Sequence, residues 1–257
     1  AKVTILDNPE FVTGIPGGVL ADDLRHLDGL DRFEARKRVV AWFEENGLLR
    51  KVEPNAHAVP HGDRSGVPIE PWLTEQWYVD VKPLAEKAMA AVRERRTRLH
   101  PPEREKIFFQ WMDNIEPWCV SRQLWWGHQI PAWYGPDGAP FVALDEQSAA
   151  DAAEAHYGAK VTLTRDPDVL DTWFSSALWP FSTLGWPQNT PELAKFYPTN
   201  TLVTAADILF FWVARMMMMG EAFMGGAPFA DVILHGIVRD EKGKKMSKTT
   251  GNVIDPL

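Results

Sequence analysis

The chain has 257 residues, 45% of them hydrophobic and 24% charged, proportions that support an ordinary globular core. Its net charge of −8 excludes broad electrostatic attraction to nucleic acid, so any RNA contact must rest on local patches. The single cysteine, Cys119, excludes an internal disulfide and a cysteine-rich zinc knuckle, and no apolar run is long enough to span a membrane.

The opening AKVTILDNPE carries neither a basic region nor an apolar signal core, and a cytoplasmic setting is expected. Residues 1–30 alternate short apolar pieces with turn residues such as Asn8-Pro9 and Pro16-Gly17-Gly18, which predicts loops and short strands. A helix follows. Asp31 can serve as its N-cap, Glu34 completes a capping box, and Gly47 supplies the stop. Phe33, Val39, Val40 and Phe43 are expected along one side, with Arg36, Lys37, Arg38, Glu44 and Glu45 on the wet face. Residues 51–82 are rich in proline and glycine, with short strands expected at Ile69 and across 76–81. His57 and His61 are four apart, but Pro60 keeps them off one helical face, and no carboxylate cluster supports a metal site. Residues 84–98 predict a second helix with a basic end, Arg93 to Arg98. That end could touch a phosphate backbone, or it could be a solvated terminus favoured by the helix dipole.

Seven of the twelve tryptophans fall between Trp72 and Trp133, so they mark a region. The run IFFQWMDNIEPWCVSRQLWWGHQIPAWYG (107–135) reads as an aromatic wall with polar handles at Asn114, Arg122, Gln123 and His128. Residues 146–156 predict a helix. Residues 201–224 read as strand, turn and a helix apolar on nearly every side, as in a buried element. Met216 to Met219 are then core filling rather than a metal or cofactor box. Asp207 sits at the strand-to-helix turn, where α/β folds hold nucleotide ribose hydroxyls.

The last stretch, DVILHGIVRDEKGKKMSKTTGNVIDPL (231–257), begins with a buried strand at 232–234. After His235-Gly236 comes a polar loop bearing Lys242, Lys244, Lys245 and Lys248, with glycines at 243 and 251. Lys245 and Lys248 are three residues apart, with the Ser247 hydroxyl between them. Past the carboxyl end of a parallel strand such a loop can grip phosphate; taken alone it could equally be a charged surface turn.

These stretches, in this order, resemble the valyl-tRNA synthetases, a family of class I aminoacyl-tRNA synthetases. The stretch HGIVRDEKGKKMSKTTGNVIDPL is similar to the class I Lys-Met-Ser-Lys-Ser signature, with Thr249 in place of the final serine. Asn114-Ile115, Trp118, 121–128 and 130–134 are similar to the valyl family, as is DVLDTWFSSALWPFSTLGW (168–186). Isoleucyl relatives carry an acidic residue where Ser175 stands, and the family has a glycine where this chain has Ala205.

The resemblance implies an α/β fold: the second half of a Rossmann-like parallel-sheet catalytic domain, with the tail of an inserted editing domain. Residues 1–50 would be the tail of that insert and its exit helix, 51–115 the return connection, and 116–257 the second half of the catalytic domain. The chain has no initiator methionine and stops just past its lysine signature, so it reads as an internal fragment, inactive alone without the family's His-Ile-Gly-His half of the site. The implied activity is ATP-dependent activation of valine and its transfer to tRNA. Positioning and charge stabilisation carry the first step. The resemblance makes Lys245 and Lys248 stabilisers of the triphosphate, Asp207 the ribose partner, and the backbone from His235 through Gly236 and Ile237 to Val238 the adenine edge. Ser247 also falls in the ATP site. Trp126 and Trp173 would wall the valine side chain, with Val169 opposite, one helical turn before Trp173. Mg2+ is expected only with ATP, and no structural zinc. The partners implied are valine, ATP and tRNA, with no membrane and a monomeric intact enzyme. A non-catalytic paralogue or binding module and an isoleucyl-type ligase are the alternatives. If Lys248 acts mainly in the transition state, Lys248→Ala in the intact enzyme should lower kcat on the order of 10²–10³-fold, far more than it raises KM for valine. Valine-dependent ATP–pyrophosphate exchange measures this, and an unchanged rate would leave the loop as a charged turn.

Overall fold

The computed structural model describes residues 3–6, 27, 29–62, 66–247 and 251–253. Contacts divide the chain into two units, Ala1–Glu75 and Gln76–Leu257. In the first, β1 (Val3–Leu6) pairs antiparallel with β2 (Glu70–Leu73). Helix α1 (Arg32–Glu45) begins as its sequence predicts, because the Asp31 carboxylate accepts from the Phe33 and Glu34 amides at 2.9 and 3.2 Å. The capping-box partner does otherwise: Glu34 accepts from Arg38 Nε at 3.1 Å. At the far end Gly47 takes φ 66°, the Gly47 amide donates to the Glu44 carbonyl, and the Leu48 amide donates to that of Phe43. This pattern closes the helix as the glycine foretold. The predicted apolar side is not buried, however. Ala35 is the helix's buried residue, while Phe33, Val40 and Phe43 are exposed. His57 and His61 lie in non-helical backbone and each bonds a nearby carbonyl, of Asn55 and Val59 respectively.

In the second unit, β3 (Tyr78–Val79) leads into α2 (Lys82–Arg93), which starts with proline in its first turn and buries Ala85, Ala88, Met89 and Val92. The helix stops at Arg93, five residues short of the sequence expectation. Tertiary pairing overrides local propensity here: Arg95 turns to φ 60°, the Thr97 hydroxyl donates to the Phe229 carbonyl at 2.7 Å, and Arg98 already belongs to β4 (Arg98–His100). The basic run finds partners inside the unit. Arg95 pairs with Glu105, Arg96 with Glu94 and Glu221, and Arg98 takes both oxygens of Asp231 at 2.8 and 2.5 Å. The aromatic block opens with a helix that its pattern did not announce, α3 (Arg104–Asp113), buried through Phe108 and Met112.

The frame of this unit is a parallel sheet in the order β11 (Thr199–Ala205), β12 (Phe229–His235), β4. Between β11 and β12 the chain makes a short turn (206–208), a π-helical turn (Leu209–Val213) and helix α8 (Ala214–Phe223). Met216 to Met219 are all buried against α2 and the sheet, as core filling requires. Along β12, Val232 and Leu234 are buried, which puts one face of the strand in the core, and Phe229 is buried at the start of the strand. No helix among the described residues is long and apolar enough to cross a membrane.

Between β4 and β11 lie short pairings that carry the motif residues. Strand β5 (Trp118–Cys119) pairs with β3, and β6 (Ser121–Arg122) pairs with the later β10 (Val169–Leu170). A small antiparallel sheet joins β7 (Ala132–Tyr134) to β8 (Pro140–Val142) and β9 (Thr164–Arg165), beside α4 (Glu146–Tyr157). The short helices α5 (Thr172–Ala177), α6 (Trp179–Ser182) and α7 (Pro191–Phe196) precede β11. Buried Asp166 fastens the small sheet, accepting from Trp77 Nε1 at 2.8 Å and the Tyr134 hydroxyl at 2.6 Å. Burial, and then the Asp166 carboxylate, push Tyr134 up to about 12. A phenol whose folded value exceeds its unfolded value stabilises the fold fully below the unfolded value, about 10, and loses that contribution as pH rises through the folded one. The difference in tyrosinate absorbance between wild type and Tyr134→Phe should therefore titrate near pH 12. A midpoint near 10 would mean that Asp166 does not hold the phenol in solution.

Candidate active site

Because β11 and β12 run parallel with Ala205 opposite His235, both strands end together. Asp207 sits in the turn directly after β11, and the lysine loop leaves β12 at the same end, where open α/β sheets bind their ligands. Ala205 has φ −76° and ψ 144°, ordinary extended backbone, so alanine in place of glycine does not hinder the turn. The structure brings two of the expected site residues into direct contact: Lys245 Nζ donates to Asp207 Oδ2 at 2.7 Å. Lys248 and Thr249 lie outside the described residues.

The loop is more ordered in its bonding than a lysine-rich turn suggests. Arg239 and Lys245 form an antiparallel bridge, and the Gly243 amide donates to the Asp240 carbonyl at 2.9 Å, closing a tight turn with Gly243 at φ 74°. The Asp240 carboxylate accepts from the Lys242 and Lys244 amides and, at 2.7 Å, from Asn252 Nδ2. Asn252, then the Lys244 and Lys242 amides, hold this carboxyl below the usual carboxylate range. Asn252 Oδ1 in turn accepts from the Ser247 amide at 3.0 Å. Asp240 and Asn252 were not singled out in the sequence, although an Asp-x-x-Gly turn and a Gly-Asn pair are visible signals. His235 is exposed and its side chain bonds the adjacent Gly236 carbonyl, Nδ1 to O at 2.8 Å; Gly236 and Val238 are exposed and Ile237 is half-buried. These four form an accessible backbone edge.

The three residues expected around the amino-acid side chain stand in different surroundings. Trp173 is half-buried on α5, and its indole stacks on Phe211 with centroids 6.2 Å apart. Phe211 lies four residues past Asp207, so Trp173 stands at the ligand end of the sheet. Trp126 is 92% exposed on the loop after β6 and is not brought to Trp173. Val169 is not one helical turn before Trp173, because it belongs to strand β10 and Asp171 caps a new helix after it. Its side chain is buried where a methyl group added to Gly127 would come within 3.0 Å of Cγ2.

Beneath Trp173 lies a cluster that sequence reasoning missed. Asp171 Oδ2 is 2.9 Å from Trp118 Nε1, 3.1 Å from Arg122 Nη2 and 3.3 Å from Arg215 Nη1. The Arg215 guanidinium lies over the Trp118 ring at 3.8 Å; burial pushes its pKa down while Asp171 draws it up. An aspartate before Thr-Trp is an N-cap signal, but its partners are 44 to 53 residues away in the chain. Among the described residues no group of three histidine, cysteine or acidic side chains could hold a metal ion.

Residues 24–257 match the family model for tRNA synthetases class I (I, L, M and V). The chain belongs to this family. Among similar class I proteins, the valine–tRNA ligase of Brucella suis biovar 1 is 62% identical over 261 residues, covering 100% of this chain and 28% of that protein. The valine–tRNA ligase of Caulobacter vibrioides is 64% identical over 229 residues, covering 89% of this chain and 25% of its own length. The chain thus spans little more than a quarter of these relatives. The methionyl-tRNA synthetase of Mycobacterium tuberculosis bound by methionyl-adenylate superposes with a TM-score of 0.52 at 16% identity, over 77% of this chain and 33% of that one. That likeness shows the class I synthetase fold alone. Within that fold the loop lock has a direct test. Asn252→Ala removes the acceptor of the Ser247 amide, a bond of about 0.5–1.5 kcal/mol, so exchange of that amide hydrogen should speed up roughly two- to tenfold. Unchanged exchange would mean the loop is held by other contacts.

Proposed function

We propose that this chain is part of a valine–tRNA ligase, supplying the ribose side and the lysine loop of its ATP site. The observation that carries this reading is 62% identity to a valine–tRNA ligase across the whole of the chain. The placement of Asp207 and Lys245 at one end of the parallel strands supports it.

In the proposed reaction a valine carboxylate oxygen attacks the α-phosphorus of Mg·ATP. A bond forms to that phosphorus, and the bond to the bridging oxygen breaks, so pyrophosphate leaves with the electron pair. The terminal ribose hydroxyl of tRNA then takes the valyl group and AMP departs. Magnesium enters with the ATP phosphates as part of the substrate. In the resting chain Asp207 and Lys245 neutralise each other. Their ion pair is open to solvent on the lysine side and so is worth only about 0–1 kcal/mol, little enough for an incoming nucleotide to part it. Asp207 then accepts from the ribose hydroxyls, and Lys245 turns its ammonium to the phosphates beside Lys248. Glycines at both ends of the loop allow that movement. Ser247 contributes to the same loop, and the backbone from His235 to Val238 meets the adenine edge.

Trp173 is the proposed wall for the valine side chain, since a small branched group offers only shape and apolar area to recognise. Trp126 and Val169 complete that pocket by sequence resemblance. A cytoplasmic, monomeric enzyme acting on tRNA completes the proposal. Valine-dependent ATP–pyrophosphate exchange by the full-length protein tests it, and exchange driven by another amino acid would overturn it. In that assay Asp207→Asn, which loses a charged acceptor worth about 1.5–3 kcal/mol, should raise KM for ATP roughly 10- to 100-fold with KM for valine nearly constant.

A further inference from the structure

Trp173 is held from two directions by one carboxylate. Asp171 caps α5, its Oδ1 accepting from the Trp173 amide at 3.4 Å and its backbone carbonyl from the Phe174 amide at 2.8 Å. Its other oxygen gathers Trp118, Arg122 and Arg215, and Arg215 reaches back toward the Trp173 partner, its guanidinium carbon 5.7 Å from the Phe211 ring centroid. Trp118 closes the loop by lying 5.7 Å from Phe174. A path therefore runs from Asp171 through Arg215 and Phe211 to the face of Trp173, and a second runs directly through the helix cap.

We propose that Asp171 is a positioning residue whose carboxylate fixes the Trp173 indole and so sets the width of the amino-acid pocket. The inference rests on the reading of Trp173 as the pocket wall. It deepens that reading by assigning the discrimination between valine and larger amino acids to a buried charge cluster that touches no substrate. The donor pattern explains why a carboxylate is needed. Trp118 and Arg215 donate to Oδ2, Arg122 pairs with the same oxygen by charge at 3.1 Å, and the Trp173 amide donates to Oδ1, so both oxygens must accept. An asparagine has one oxygen and one NH2 at the same two places. Either the cap or the cluster must then face a donor with a donor.

The test is Asp171→Asn in the full-length ligase, with Arg122→Gln as the milder partner. Arg122 is partly exposed, and its loss leaves Trp118 and Arg215 on the carboxylate. If Asp171 positions the wall, kcat/KM for valine falls on the order of 10- to 100-fold, as misplacement by about an ångström can cause. Activation of isoleucine falls less, so the valine-to-isoleucine ratio narrows while KM for ATP holds. Arg122→Gln narrows it in the same direction by a smaller factor. Equal losses for both amino acids, or a rising KM for ATP, would reduce Asp171 to a structural role and overturn the proposal. Should Asp171→Asn fail to fold, Arg122→Gln decides alone, and an unchanged ratio sinks the idea. If the wild type prefers another amino acid, the proposed function fails while the inference is read on that amino acid and its next larger competitor. Fluorine NMR of protein labelled with 5-fluorotryptophan, the Trp173 signal assigned by Trp173→Phe, reads the indole without any activity. An unmoved Trp173 signal in Arg122→Gln would also overturn the proposal.

Discussion

The parallel pairing of β11 with β12 is the constraint on which the other features depend. Parallel neighbours cannot be joined by a hairpin, so the chain must cross over the sheet between them, and here the crossover is the π turn and α8. A crossover helix packed on the sheet and on α2 has almost no wet side, which is why four consecutive methionines are tolerated and buried. The same pairing aligns the ends of the strands. Asp207 and the lysine loop, separated by nearly forty residues of chain, meet because Ala205 and His235 are register partners.

Electrostatics at that end is arranged at two strengths. Asp240 is fixed by amides and by Asn252, a set of bonds internal to the loop that shapes it without consuming a lysine side chain. Lys245 and Asp207, by contrast, are joined by a single exposed contact. The loop's shape is thereby separated from its attachment: the firm bonds lie within it, the weak one at its edge. The cation that would meet phosphate and the carboxylate that would meet ribose mask each other until a ligand replaces both partners at once.

Much of the frame could be read from the sequence because its signals were local. Asp31 and Gly47 bounded α1, the alanine-rich stretch gave α4 to within a residue, and β12 showed as a short β-branched run. Asp207 was legible as a turn residue after an apolar strand. What escaped depended on distance. The stop of α2 at Arg93 follows from Thr97 docking on Phe229, 132 residues later. Helix α3 hid inside an aromatic run whose composition suited strand, loop or helix equally. Val169 was placed by helical spacing, and strand β10 with the cap at Asp171 breaks that spacing. The Asp171 cluster draws its members from three separated segments, so no window of sequence contains it.

The π turn at Leu209–Val213 closes its hydrogen bonds five residues apart rather than four, and so takes in an extra residue just before α8. Each residue of a helix turns its successors by about 100°. Relaxing the turn into plain α-helix with that residue still in place would rotate everything beyond it by that angle. Arg215 would swing off Trp118 and Asp171, and the methionines would present a different edge to the sheet. The segment therefore behaves as a phase marker: side chains in it can be exchanged for others of similar size, but its wider hydrogen-bond spacing is tied to the angular position of a single guanidinium.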